Sequence, residues 1–412
     1  MAATTSIEWT DRTWNPVAGC NRISSGCKNC YAEKMGKRLR AMALADQKDG
    51  KNPGRKAAYI DAINPAGGWS GNLIMVPDAL RDPLKWKKPQ RIFVNSMSDL
   101  FHDAVPFEFI DQVFAVMYAA QWHTFQVLTK RADRMRDYFA SDPLPRIAAM
   151  AFRQWTDWNQ EKASQGILTN SDIADDLSGM WPLPNVWLGV SIENQAMADK
   201  RIPDLLATTA AVRFLSCEPL LGPIDLGLSN ATCQCCERLP SRWIKLERGV
   251  RGDVPGSTTE AGPGIYRAES NRHGALSVRA TNGEMLGVLP REMEVLGSID
   301  WVIVGGESGH DARPMHPDWA RSLRYQCQAA KVPFFYKQWG EWKPLHGDGW
   351  PHGDEDDEGK FPWTWITTDG ELRQSGSRPD AVMQKVGKNR AGRLLDGRTW
   401  GMFPGDQDDI AW

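Results

Sequence analysis

Residues Arg91–Asp99, RIFVNSMSD, carry the pattern that decides the fold: a short run of strand type, then small polar side chains. A brief apolar run bounded by turn-forming residues reads as a buried strand. The pattern recurs along the chain. Thr124–Leu128 leads into Thr129-Lys130-Arg131, and Val186–Val190 into Ser191-Ile192-Glu193-Asn194. Val212–Leu215 leads into Ser216-Cys217-Glu218-Pro219, and Trp301–Val304 into Gly305-Gly306-Glu307-Ser308. Pro333–Tyr336 leads into Lys337-Gln338-Trp339. Between several of these runs, apolar residues fall at helical spacing: Pro106–Ala120, Gln195–Thr208 and Pro317–Ala330, the last opening on Pro317 and Asp318. Strands alternating with helices imply βαβ units and a parallel sheet. The expected fold is therefore α/β, a partial or complete parallel (β/α) barrel. Its functional groups belong at the C-terminal ends of the strands.

Two stretches interrupt the repeat. Residues 141–184 read as a helical insertion, and residues 227–297 as a second one, with Asn282-Gly283 between alternating runs as a hairpin signal. The barrel is expected over 1–340, with 341–412 as a C-terminal extension packing on it. In that extension, residues 346–360 form an acidic, Gly-rich loop expected in solvent. Residues 361–374 read as two strands around Asp369-Gly370. Lys385, Lys388, Arg390, Arg393 and Arg398 punctuate a basic segment that suits either a polyanion or a solvated edge.

Ahead of the first repeat stands Trp14–Glu33, WNPVAGCNRISSGCKNCYAE. Cys20, Cys27 and Cys30 are spaced C-x6-C-x2-C, with Gly19 and Gly26 directly before the first two. Three thiolates so close suit one soft metal centre, whether zinc, copper(I) or an iron–sulfur cluster. The plainer reading is reduced thiols in a Gly-rich loop. No fourth Cys or His lies nearby, whereas structural zinc usually takes four protein ligands. A cluster held by three cysteines leaves one iron open to a substrate or cofactor. Residues 31–48 read as a helix, 49–72 as loop, and Leu80–Trp86 as a short helix. Cys233, Cys235 and Cys236, with His273, make an incomplete zinc pattern in the second insertion.

The 412 residues carry a net charge of −2, so no global basic field grips nucleic acid by charge alone. Eight cysteines in a chain of this length do not form the dense framework of a small secreted domain. No signal-peptide pattern opens the sequence, and no run of eighteen apolar residues suggests a membrane span. The expected location is the reducing cytoplasm. His102, His123, His310 and His316 are scattered, and neither H-E-x-x-H nor G-x-S-x-G occurs.

The cysteine loop resembles that of radical S-adenosylmethionine (SAM) enzymes, most closely the branch around spore photoproduct lyase. Asn15-Pro16, Gly19-Cys20, Cys30, Tyr31 and Ala32 fit that branch's loop. Its departures are a first gap of six residues rather than three, and Asn29 where an aromatic residue commonly precedes the last cysteine. The longer gap is similar to a bacteriophage-associated three-Cys-motif family catalogued as a domain of unknown function. So are the phrases VNSMSDLFH, LTKR, GVSIEN, LSCEPLLGPID, DWVIVGGESG, PFFYKQWGEW and GKNRAGRLLDGRTW, in that order.

The resemblance implies a radical SAM/TIM-type barrel in which Cys20, Cys27 and Cys30 ligate a [4Fe–4S] cluster. It further implies that SAM chelates the open iron and is cleaved to a radical that abstracts hydrogen. SAM-binding candidates are Ser96, Ser98 and Asp99 after the first repeated strand, and Lys130 after the next. Ser191, Glu193 and Asn194 come next, then Gly305 and Gly306, where backbone can approach closely. Glu218, Glu307 and Lys337 are candidate pocket-lining groups. In radical SAM enzymes the G-G-E string follows the second strand, whereas Gly305-Gly306-Glu307 comes late in this chain. By analogy the substrate is a nucleic acid or nucleotide derivative, the partner a protein of the same gene cassette, and the electron donor a flavodoxin-like protein. The alternative is a non-catalytic zinc- or iron–sulfur-binding protein of a phage or defence cassette that recognises a partner.

Overall fold

The computed structural model describes residues 5–158, 169–228, 299–345, 362–373 and 381–406, and the backbone of seven short strands between Arg242 and Val295. Seven strands make the main sheet: β1 (Arg12–Trp14), β2 (Arg91–Val94), β3 (Thr124–Thr129), β4 (Val186–Ser191), β5 (Val212–Cys217), β6 (Trp301–Gly305) and β7 (Phe334–Gln338). They lie in chain order as a curled, parallel half-barrel sheet. Trp14 pairs with Val94, Ile92 with Phe125, Val127 with Leu188, and Val302 with Phe334. Each of these pairings is parallel, so paired strands carry their C-termini on the same edge. Strands covered on both faces need apolar side chains on both, and all five residues of β6, WVIVG, are buried.

Helices α1 (Tyr31–Lys48), α2 (Phe107–Ala119), α3 (Ala132–Ala140), α4 (Leu144–Trp158), α5 (Asn170–Met180), α6 (Gln195–Leu206) and α7 (Pro317–Ala330) occupy the connections. The long β3–β4 connection, expected to be helical, holds α3, α4 and α5. Thr169 starts α5 with a capping box: its hydroxyl accepts from the Asp172 amide, and the Asp172 carboxylate accepts from the Thr169 amide. No helix among the described residues is long and apolar enough to cross a membrane.

The chain's contacts divide it into two compact units: Met1–Ser191 with Thr208–Phe214, and Ile192–Ala207 with Leu215–Trp412. In the first, Phe101, Phe114 and Phe107 pack around the buried ring of Tyr138, whose hydroxyl donates to Asp111 at 2.8 Å. In the second, Trp301, Phe335 and Phe403 pack together, and the tail forms a four-stranded antiparallel sheet. Trp363–Ile366 and Leu372–Arg373 pair around Gly370, as the Asp369-Gly370 signal predicts.

Some expectations change. Residues 49–72 are not all loop, because Ala58–Ala62 is helical. Tyr59, Ala62 and Ile63 are buried, and Ile63 lies so close to α1 that a Cβ on Gly36 would meet it at 3.0 Å. Burial there overrides a Gly/Pro-rich composition. Leu80–Trp86 is helical only over Asp82–Lys85. The strands around Asn282-Gly283 pair antiparallel, Arg279 opposite Met285, while that turn lies outside the described residues. So do Cys233, Cys235, Cys236, His273 and the acidic loop.

Candidate functional site

In the first unit the cysteine loop leaves the C-terminus of β1 and ends in α1, with Cys30 at the helix N-cap position. The polar segments at the C-terminal ends of β2 and β3 hold the loop in place. Gly19 bridges to Ser98, and Ser98 Oγ donates to the Val17 carbonyl at 2.9 Å. Asn15 Oδ1 accepts from Ser96 Oγ at 3.1 Å and from the Met97 amide at 3.0 Å. Tyr31 hydroxyl donates to the Ser96 carbonyl at 2.9 Å, tying the first residue of α1 to the same segment. Gly19 has φ +99°, and a Cβ there would lie 2.4 Å from the Asn72 carbonyl oxygen. Only glycine meets both demands.

Beneath the loop lies a buried charged network. Asp99 accepts four hydrogen bonds, two on each oxygen. Oδ1 takes Thr129 Oγ1 at 2.7 Å and the Phe101 amide at 3.1 Å; Oδ2 takes the Lys130 amide and Arg131 Nη1, both at 3.0 Å. Arg131, 6% exposed, also donates to Asn21 Oδ1, beside Cys20 in the chain. Asn21 Oδ1 lies 3.0 Å from His102 Nε2, while His102 Nδ1 accepts from the Ala104 amide. That assigns the ring proton to Nε2 and makes Asn21 the acceptor. Burial, helped by the Arg131 charge, holds the His102 pKa below the usual imidazole range, so the ring is neutral at pH 7.

The thiols feel this setting. Burial, then the Asp99 charge, push Cys20 up to about 12, and Cys30 adds to the shift; Arg131 opposes it by charge and by hydrogen bonding. Burial also raises Cys30, against the Glu33 and Ala32 amides at the start of α1 and with a further push from Cys27. Cys27 is buried, with its sulfur 3.8 Å from Ser24 Oγ. The three sulfurs thus share one neighbourhood. Among the described residues, however, no three His, Cys, Asp or Glu side chains are drawn together at metal-ligand spacing. As donors the trio suits a thiophilic centre, and ligand binding there would have to close the loop and release protons. Beside it, Glu33 pairs with Arg22 and accepts from the Trp69 amide at 2.9 Å.

The structure gathers Ser96, Ser98 and Asp99 around the cysteine loop, and the Lys130 backbone amide binds Asp99. It also places there Asn15, Asn21, His102 and Arg131, which sequence reasoning does not single out as site residues. For Asn15 the signal is the Asn15-Pro16 pair of the loop motif, and for Asn21 and Arg131 it is adjacency to Cys20 and Lys130. Ser191 is buried at the end of β4 in the same unit.

The remaining candidates lie in the second unit. Glu193, wholly buried, pairs with Arg201 at 2.9 Å, and Asn194 caps α6 by accepting from the Met197 amide at 3.1 Å. Lys337 Nζ lies 2.9 Å from Glu218 Oε1, and Ser216 Oγ donates to Glu218 Oε2 at 3.3 Å. Glu307 binds Arg313 through both carboxylate oxygens, with contacts of 2.6 and 2.9 Å. Gly306 lacks room for a side chain, since a Cβ would fall 2.0 Å from the Trp339 carbonyl oxygen, whereas at Gly305 it would meet the carboxylate end of Glu218, 2.9 Å away.

Comparison with known proteins finds one family model, described as Protein of unknown function (DUF5131), matching residues 4–404. No curated protein and no solved structure matches the chain.

Proposed function

Since the chain belongs to that family of unknown function, we propose its activity from the site: a radical SAM-type enzyme acting on a nucleic-acid or nucleotide-derived substrate. The observation that carries the reading is the three-cysteine loop, seated at the C-terminal edge of a parallel half-barrel sheet where such folds keep their chemistry. The resemblance of the loop to radical SAM enzymes supplies the reaction class, and the substrate class rests on analogy with one branch.

In this reading Cys20, Cys27 and Cys30 hold a [4Fe–4S] cluster. Such a cluster supplies the electron that cleaves SAM reductively. The protein's own contribution is to bind, orient and exclude water. Ser96, Ser98 and Asn15 fix the entry and exit of the loop, while Asp99 and Arg131 fix its base. Tyr31 anchors the helix start that carries Cys30. Phage association and a cassette-encoded protein partner belong to the same proposal.

The test is anaerobic reconstitution with iron and sulfide, then a reductant and SAM. About four irons per chain, absorption near 400 nm and 5′-deoxyadenosine formation are expected, all lost in a triple Cys20/Cys27/Cys30→Ala variant. A colourless protein with one tightly held zinc would instead favour a non-catalytic metal-binding role. A loaded cluster that never cleaves SAM would refute the reaction class.

A further inference from the structure

We propose that the outer face of α1 is a docking surface for an acidic amphipathic helix of a partner protein. The proposal goes beyond the activity read from the cysteine loop and holds with or without a metal there.

Helix α1 packs one side into the first unit, where Ala32 and Gly36 lie against Tyr59 and Ile63. Its outer side is apolar as well. Tyr31, Met35 and Met42 are 50%, 38% and 52% exposed, and spacings of four and seven residues set them on one line about 17 Å long. Isolated apolar residues are ordinary at a surface, but three in register on a helix make the stripe that a partner helix covers. The Tyr31 ring is held in place, because its hydroxyl donates to the Ser96 carbonyl at 2.9 Å, and methionines adapt to what packs on them.

Charge selects the occupant. Lys34 and Arg38 flank the stripe, with Lys37 on the same helix and Lys28 in the loop before it. All four are exposed, and among the described residues none makes an ion pair or a side-chain hydrogen bond. The carboxylates of α1 are already matched: Glu33 pairs with Arg22, and Asp46 with Lys56. The surface is therefore an apolar line beside positive charge, and its complement is an apolar line beside negative charge. A nucleic acid would use the cations but not the methionines. A membrane surface calls for a broad apolar face, and three side chains on one line are too narrow. Among the described helices of this chain, α5 is acidic through Asp172, Asp175 and Asp176, but its apolar Ile173 and Leu177 are buried, so a second copy offers no matching stripe there. Because Tyr31 directly follows Cys30, a helix seated on α1 would border the cysteine loop.

The probe is a synthetic peptide as long as α1, 18 residues, with leucines along one helical face and glutamates beside them. Its binding to the full-length chain is followed by fluorescence anisotropy. The peptide should bind, weaken as salt rises, and weaken about 10-fold or more when its residues are shuffled to destroy the apolar face. In the chain, Met35→Asp with Met42→Asp, and separately Lys34→Glu with Arg38→Glu, should each weaken it about 10-fold or more. Leu44→Gln, exposed on the same helix but off the stripe, should leave it unchanged. All five positions are exposed, and an unchanged circular dichroism spectrum checks that each variant folds. No binding, equal binding of the shuffled peptide, or binding indifferent to the methionine pair overturns the proposal. So does tighter binding of a single-stranded oligonucleotide or of phosphatidylcholine–phosphatidylserine vesicles through Lys34 and Arg38, which would assign the face to nucleic acid or membrane. Self-association that is lost in the methionine variant would assign it to a second copy and overturn the proposal equally.

Discussion

Replacing Arg201 by Met should destabilise the fold far more than losing an ordinary ion pair at a surface. Arg201 is 3% exposed, its partner Glu193 is 0% exposed, and they meet at 2.9 Å, so neither charge is screened by water. Surface pairs contribute about 0–1 kcal/mol. Removing one member of a buried pair strands the other charge in low dielectric, at about 3–5 kcal/mol. Urea denaturation followed by tryptophan fluorescence should register Arg201→Met at that size with an unchanged slope. Glu193→Gln combined with Arg201→Met removes both charges and should lose less than the single variant, because no uncompensated ion remains. The same pair of variants bears on function. If Glu193 serves the fold, the double variant keeps its affinity for SAM, measured by calorimetry on the reconstituted protein. A loss below about 1 kcal/mol in Arg201→Met would refute the reasoning, since an unscreened buried pair cannot be broken with so small an effect.

Gly19→Ala should destabilise the cysteine loop, by about 1–3 kcal/mol from the left-handed backbone and the Asn72 contact together, and iron uptake per chain should drop with it. Thr169→Ala removes the α5 capping box and should cost about 0.5–2 kcal/mol, read as a lowered melting temperature. Burial lowers the His123 pKa, so the folded ring resists protonation. Above the ordinary value of about 6.5 neither folded nor unfolded chain holds that proton. As the pH falls below it the unfolded chain gains the proton first, and stability declines until the folded pKa is reached. His123→Gln should flatten that part of the stability–pH curve, and an unchanged slope would count against the assignment.

Much of the sheet is legible in the sequence because a parallel strand buried on both faces leaves a continuous apolar run. Arg91–Val94 matches to the residue, and Val212 and Trp301 open β5 and β6 as the apolar runs predict. β1 is not legible: three residues, Arg-Thr-Trp, carry no periodic signal, and only pairing with Ile92–Val94 makes them a strand. α1 is legible at both ends, whereas α3, with its many charged residues, gives no distinct signal. At the site, polar residues after the early strands stand beside the cysteine loop, but their partners are hidden in the sequence. Nothing local in the sequence shows that Glu193 will meet Arg201, or that Asp99 will bind Arg131, 32 residues on. Such pairs are set by tertiary placement, and a carboxylate that reads as a ligand contact can equally be a strut.

Strand order that tracks chain order has a consequence for biosynthesis. The three thiols lie within the first 30 residues, yet the groups that seat them, Ser96, Ser98, Asp99 and then Arg131, are made much later. While the nascent chain is short, those sulfurs emerge from the ribosome without their anchors. Their loop can settle only once some hundred further residues have been translated and β3 has docked beside β2. Metal insertion should therefore be a late event, and a ribosome stalled before Thr124 should display cysteines that thiol reagents reach far faster than in the finished protein.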